Sequence, residues 1–189
     1  MLHFTSDQHW GHDNVRGYCN RKFDTVEEMD DALVGAWNGC VKATDVVYHL
    51  GDFTLGNYST MMRILYQLNG TLLMLRYPWH HDKRWLKEFF DVAEFRNIMF
   101  RPSLYIIEKN MYKSFCGDHP PIVLCHYPFA VWDRAHYGSI HLHGHSHGTH
   151  EADGLILDVG VDNAYKLFGE YRPFSIIDVM KIMNKKEKK

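Results

Sequence analysis

Six residues share a position in the chain: Asp7, His9, Asp52, His81, His126 and His145 each lie just past a short apolar run that reads as a buried strand. Leu2–Ser6 feeds Asp7-Gln8-His9, and Asp45–Leu50 feeds Gly51-Asp52. Thr71–Leu75 leads toward His81, Ile122–Cys125 runs into His126, and Ile140–His143 ends at Gly144-His145. Loops at the carboxyl ends of strands in open α/β sheets converge on one crevice, so five strand ends deliver acids and imidazoles to one place. Carboxylates with neutral imidazoles suit borderline divalent cations such as zinc, manganese or iron. Histidine is abundant, 14 of 189 residues, whereas the four cysteines (Cys19, Cys40, Cys116, Cys125) form no C-x-x-C pair. A structural zinc knuckle and a disulfide framework are therefore disfavoured, and the cysteines read as small core residues. Asp7 and His9 stand at i and i+2 of an extended segment, and His141, His143, His145 and His147 alternate likewise. Gly144 and Gly148 give that second segment the freedom to turn tightly where backbone approaches an ion.

The elements that must position these groups alternate in the first half of the chain. Thr25-Val26-Glu27-Glu28 is a capping box that starts a helix to about Trp37. Tyr58–Leu68 has helical spacing and stops at Asn69-Gly70, and a further helix follows Asp82 to about Phe90. The second half is richer in strands: a hairpin over Leu104–Phe115 turning at Lys109-Asn110, then Ile122–Cys125, Ile140–His143 and Leu155–Val159. Ser175 and Asp178 cap a last helix to about Met183. Strand–helix alternation followed by strands predicts an α/β domain with mixed sheets and helices outside. Neither repeats nor low-complexity linkers appear, so residues 1–180 read as one domain and 181–189 as a basic C-terminal tail.

With 46% hydrophobic and 23% charged residues, the chain is neither disordered nor collagen-like. The apolar run Ile64–Leu75 is 12 residues long and broken by Gln67, Asn69 and Gly70, and Asp7 and His9 interrupt any secretory leader. The expectation is a soluble, cytoplasmic protein with no membrane partner. The last nine residues carry a net charge of +4 against −2 for the whole, leaving the body at −6. Stable nucleic-acid binding needs a basic stripe, so none is expected.

The ordered set Asp7-Gln8-His9, Gly51-Asp52, His81-Asp82, His126 and Gly144-His145-Ser146-His147 resembles the blocks D-x-H, G-D, G-N-H-[DE], H and G-H-x-H of the calcineurin-like metallophosphoesterase superfamily. Ser6–His12 and Tyr48–Phe53 look like its small bacterial and phage-type branch, and the resemblance runs from residue 2 to about 175. It implies two mixed β-sheets packed as a sandwich and flanked by helices, four layers in the order αββα. It also implies a di-metal-dependent phosphoesterase that hydrolyses phosphomonoesters or phosphodiesters through a hydroxide bridging two divalent ions (Mn, Fe, Zn, Ni or Co). Carried over by position, Asp7, His9 and His147 would hold one ion, His126 and His145 the other, and Asp52 both. His81 would stand at the leaving group as general acid or charge stabiliser, oriented by Asp82. One block departs: Trp79-His80-His81-Asp82 stands where the family has Gly-Asn-His-Asp. His80 then either replaces the asparagine as a metal ligand or lies behind the site. The substrate implied is a small phosphate ester or nucleotide.

Other residues carry two readings. His12, His49 and His143 flank the motifs as partners of the ligands, as substrate contacts, or as structural histidines, whereas His141 on its strand reads as packed. Arg16 and Arg84 suit either a substrate phosphate or a surface salt bridge. Tyr127, Trp132 and Tyr137 suit a ring-stacking role or ordinary packing. His3, His119, His136 and His150 fit no motif and default to the surface. A different class of function is a catalytically weak metal-binding or interaction protein that keeps the fold. Fewer than two ions per chain and no turnover would mark it.

Overall fold

A computed structural model describes residues 1–76, 82, 85, 97–111 and 119–186. Period-two alternation along the strands decides its layers. In β3 (Thr71–Arg76), Leu73 and Leu75 enter one core while Leu72 and Met74 enter another. In β2 (Val46–His49), Tyr48 and Val47 divide the same way, and in β6 (Ile122–Cys125) Leu124 and Val123 do so on a second sheet. The first sheet has the order β4-β3-β2-β1-β9, with β1 Leu2–Thr5, β4 Ile98–Pro102 and β9 Phe174–Ser175. It is parallel apart from β9. The second has the order β5-β6-β7-β8, with β5 Leu104–Ile107, β7 Ile140–His143 and β8 Ile156–Asp158, and only β5 runs antiparallel.

The two mixed sheets pack face to face over a core that includes Leu2, Phe4, Tyr48, Leu73, Ile122, Leu124, Ile140 and Leu142. Helices α2 (Val26–Cys40) and α3 (Tyr58–Leu65) cover the outer face of the first sheet through Met29, Leu33, Trp37, Met61 and Ile64. The outer face of the second sheet is covered, among the described residues, by the segment 127–139, where Phe129 and Trp132 stack against His141. The sandwich of two mixed sheets flanked by helices is the one expected. The chain also forms α1 (Asp13–Tyr18), α4 (Val161–Phe168) and α5 (Ile176–Met183). None of the helices among the described residues is long and apolar enough to cross a membrane.

Several local expectations are corrected. Thr25 caps α2, but Glu28 reaches the amide of Asp24 rather than that of Thr25, so only half of the capping box forms. Helix α3 stops at Leu65, three residues early, and the chain then turns through Gly70 at φ +92°. The turn at Lys109-Asn110 forms, yet the antiparallel partner of β5 is β6; the segment 112–118 lies outside the described residues. Strand β4 and helices α1 and α4 had no counterpart in the sequence reading. Helix α5 carries Lys181 and runs to Met183, and Lys186 Nζ donates to Ile156 O at 2.6 Å, so this end packs against the domain. His3 and His119 are buried rather than at the surface, each pairing one ring nitrogen: His3 Nε2 lies 3.2 Å from Asp45 Oδ2 and His119 Nδ1 2.7 Å from Pro120 O.

Candidate metal centre

The parallel strands β1, β2, β6 and β7 end at one edge, and their loops are zipped together by backbone bonds. Asp7 N–H donates to Gly51 O, His9 N–H to Asp52 O, and Gly144 N–H to His126 O, at 2.9–3.1 Å. Three side chains from two loops, Asp7, His9 and His147, bring ligand atoms within 4.8 Å of one another. Asp52, His126 and His145 form a second such group. Asp52 Oδ2 joins the groups, standing 3.5 Å from His9 Nε2 and 3.5 Å from His126 Nε2. Two donors each ~2.1 Å from a tetrahedral ion stand ~3.4 Å apart, so this spacing suits a shared cation on either side of the carboxylate.

The backbone is strained where the ligands sit. Asp7 (φ 62°), His9 (56°), Asp52 (53°), His145 (68°) and His147 (48°) all adopt the left-handed region. Each such residue costs about 1–3 kcal/mol and persists only where the surroundings enforce it. Here the close approach of loops enforces it. A Cβ at Gly144 would stand 2.1 Å from Ser6 Oγ and 2.5 Å from Asp7 Oδ2, so only glycine lets the two loops meet.

Asp7 tests the fit to a cation. Its carboxylate is fully buried; Oδ2 accepts from His145 N–H at 2.9 Å, and Oδ1 has no hydrogen-bond partner among the described residues. Burial pushes its pKa up to about 7, with Asp158 and Asp52 adding repulsion against the relief from His147. Burial opposes protonation of His147, but Asp162, Cys19 and Asp7 together raise its pKa to about 11. Buried acids clustered this way need positive charge, which a divalent ion would supply in place of protons.

Comparison with known proteins adds a family. No family model matches the chain. It is 34% identical over 151 residues to the uncharacterized protein MJ1445 of Methanocaldococcus jannaschii, covering 79% of this chain and 70% of that one. The chain belongs to that protein's family. The gene 66 protein of Mycobacterium phage L5 is a more distant relative, 27% identical over 164 residues and 76% of each chain. The crystal structure of the protein of unknown function AQ665 from Aquifex aeolicus shares the fold with a TM-score of 0.66 at 22% identity, over 96% of this chain and 98% of that one.

Within this family member, the structure brings Asp7, His9, Asp52, His126, His145 and His147 together. His80, His81 and Arg84 lie outside the described residues. Asp82 accepts from the amides of Phe53 (3.3 Å) and Thr54 (3.2 Å) and from Trp85 Nε1 (2.9 Å), thereby holding the loop that follows Asp52. His49 accepts from Gly51 N–H at Nδ1, so its Nε2 donates to Gln8 Oε1 at 2.6 Å and ties the first two loops together. His143 is buried and donates from Nδ1 to Gly144 O at 2.8 Å. His12 stands at the N-terminal boundary of α1 without a side-chain capping bond, its ring 5.6 Å from that of His9. Of the two readings for Arg16, the structure gives the salt bridge, to Asp13, with further bonds to the carbonyls of Phe23 and Asp24. Trp132 is packed beneath the second sheet and Tyr137 is exposed away from the clusters, whereas Tyr127 lies 4.8 Å from the ring of His145 and is 41% exposed.

Four residues around the site escaped the sequence reading. Asp158 accepts from Gly160 N–H, Gly148 N–H and Ser146 Oγ, fixing the loop that carries His145 and His147. Asp162 and Cys19 contact Nδ1 of His147, and Arg21 pairs with Asp162 behind them. The positional signal was present for two of these: Asp158 and Asp162 flank the end of the Leu155–Val159 run as the ligands flank theirs. Nothing in the local sequence around Arg21 or Cys19 points to the site.

Proposed function

We propose that this chain is a di-metal-dependent phosphoesterase of the calcineurin-like metallophosphoesterase type, hydrolysing phosphomonoesters or phosphodiesters. One observation supports the reading: two clusters of acid and imidazole meet at Asp52, whose Oδ2 is equidistant, at 3.5 Å, from a histidine of each. Two divalent ions held side by side supply Lewis acidity that makes hydroxide available near neutral pH and neutralises phosphoryl oxygens. The chain's own residues do the rest. Asp7, His9 and His147 would hold the inner ion, His126 and His145 the outer, and Asp52 both. His145 is exposed and Tyr127 partly so, which makes that side the mouth through which a phosphate ester enters. Asp82 fixes the Phe53–Thr54 amides and so the direction of the Asp52 carboxylate. On the resemblance, His81 serves the leaving-group oxygen.

Hydrolysis of p-nitrophenyl phosphate and of its bis-ester with added Mn²⁺ tests the reading, with Asp52→Asn as control. Turnover by the wild-type chain alone is the expected result. Equal rates in the two proteins, or none in either under any divalent metal, would refute it.

A further inference from the structure

Arg21 belongs to no motif, yet its side chain is wholly buried beside the inner cluster. Its Nε donates to Asp162 Oδ1 at 2.7 Å and its Nη2 to Asp162 Oδ2 at 2.8 Å, a two-pronged pair. The remaining prongs hold backbone: Nη1 donates to Gln8 O and Nη2 to Asp7 O, both at 2.7 Å. Asp162 Oδ2 in turn lies 2.6 Å from His147 Nδ1, and Cys19 Sγ lies 3.2 Å from the same nitrogen. A carboxylate only accepts, so Nδ1 carries the proton, which leaves Nε2 as the nitrogen for a cation held with Asp7 and His9. One ion pair thus binds both arms of the inner cluster, the left-handed Asp7 loop and the ring of His147.

A buried ion pair is a poor source of stability, since desolvation offsets most of the attraction; its use is to fix one arrangement. Cys19, His147 and Asp162 also stand close enough to suit a cation of their own. The guanidinium on both oxygens of Asp162 opposes one there, and the trio reads instead as support for the neighbouring cluster.

We infer that Arg21 and Asp162 are a positioning pair that sets the affinity of the Asp7–His9–His147 cluster for its divalent cation. The inference rests on the di-metal reading above. The test titrates the full chain, stripped of metal, with Mn²⁺ in a calorimeter. Wild type is expected to bind two ions. Asp162→Asn and Arg21→Lys should each weaken one of the two by about 10- to 100-fold and leave the other nearly unchanged. Lysine keeps the charge but loses the fork, so its failure to substitute separates geometry from charge. A second readout needs no metal: the Nδ1 proton of His147, followed by ¹H–¹⁵N NMR, should resonate far downfield in the wild type and shift in Asp162→Asn. Two-site binding with wild-type affinities in both variants would overturn the inference, as would an unmoved Nδ1 proton. Loss of the fold in both variants would overturn it too, by assigning the pair to stability; if only Asp162→Asn fails to fold, Arg21→Lys decides. A wild type that binds no Mn²⁺ would sink the di-metal reading, and with it the cation in this inference. The proton would still report whether the pair orients His147.

Discussion

His147 is backed by a buried arginine–aspartate pair, whereas His145, two residues earlier, is exposed and touched by the rings of His126 and Tyr127. The two side chains leave one short loop for different clusters. The inner cluster is therefore fixed by charges behind it, and the outer one borders solvent. On the proposed reading this is a division of labour: the inner ion is held while the outer side exchanges water for a phosphate ester. The loops of the two halves touch at Gly144, which packs against Ser6 and Asp7.

The largest effect should come from removing what both halves share. Asp52→Asn should lower kcat/KM for an aryl phosphate by roughly 1,000-fold, several kcal/mol of charge stabilisation, with the circular dichroism spectrum unchanged. A loss of tenfold or less would mean that Asp52 does not join the halves. Next is the seam. Gly144→Ala forces a Cβ onto Ser6 Oγ and Asp7 Oδ2, and should destabilise the fold by about 3 kcal/mol in a denaturant titration. An unchanged midpoint would show that the halves separate freely.

A third test reaches the strand beneath the outer half. His141 Nε2 accepts from Phe129 N–H and Nδ1 donates to Val123 O, each at 3.1 Å, so both nitrogens are satisfied only in the neutral ring. Burial lowers its pKa to about 4, against the bond to Val123 O. The folded state resists a proton that the unfolded chain takes up near pH 6.5. The contribution is thus intact above pH 6.5 and is lost as the pH falls toward 4. Between pH 7 and pH 5 the loss should be about 2 kcal/mol. Unfolding free energies of wild type and His141→Gln at the two pH values check this, and an identical fall in both would remove His141 from the account. The smallest effect belongs to the mouth. Tyr127→Ala should reduce kcat/KM for an aryl ester by about threefold, the scale of one ring contact, while leaving stability alone. No change would leave the outer rim without a part in substrate binding.

Much of this was legible in residue order. Apolar runs ending in Asp-x-His, Gly-Asp, His and Gly-His-x-His located six ligands of the candidate centre and the parallel strands that carry them. Short elements were not legible: α1 is six residues long, and β4 (Ile98–Pro102) offers no clean alternation, with three of its residues half-buried and two exposed. Arg21 escaped because a surface arginine and a buried one look alike until something folds over them. Asp162 is an ordinary first-turn acid of α4 when read locally.

What residue order determined by itself was the chemistry on offer: which strand ends carry acids, which carry imidazoles, and where glycine permits a tight approach. Tertiary structure decided the grouping of those residues into two clusters and the placing of Asp52 Oδ2 3.5 Å from a histidine of each. It also decided the left-handed backbone at five of the six ligands, because φ at a non-glycine residue is imposed by the loops packed around it. The Arg21–Asp162 pair spans 141 positions, and only the meeting of the two sheets brings its charges within 2.7 Å. Spacing along a chain fixes periodicity within an element; distances between elements are set by packing, and the inner cluster depends on those distances.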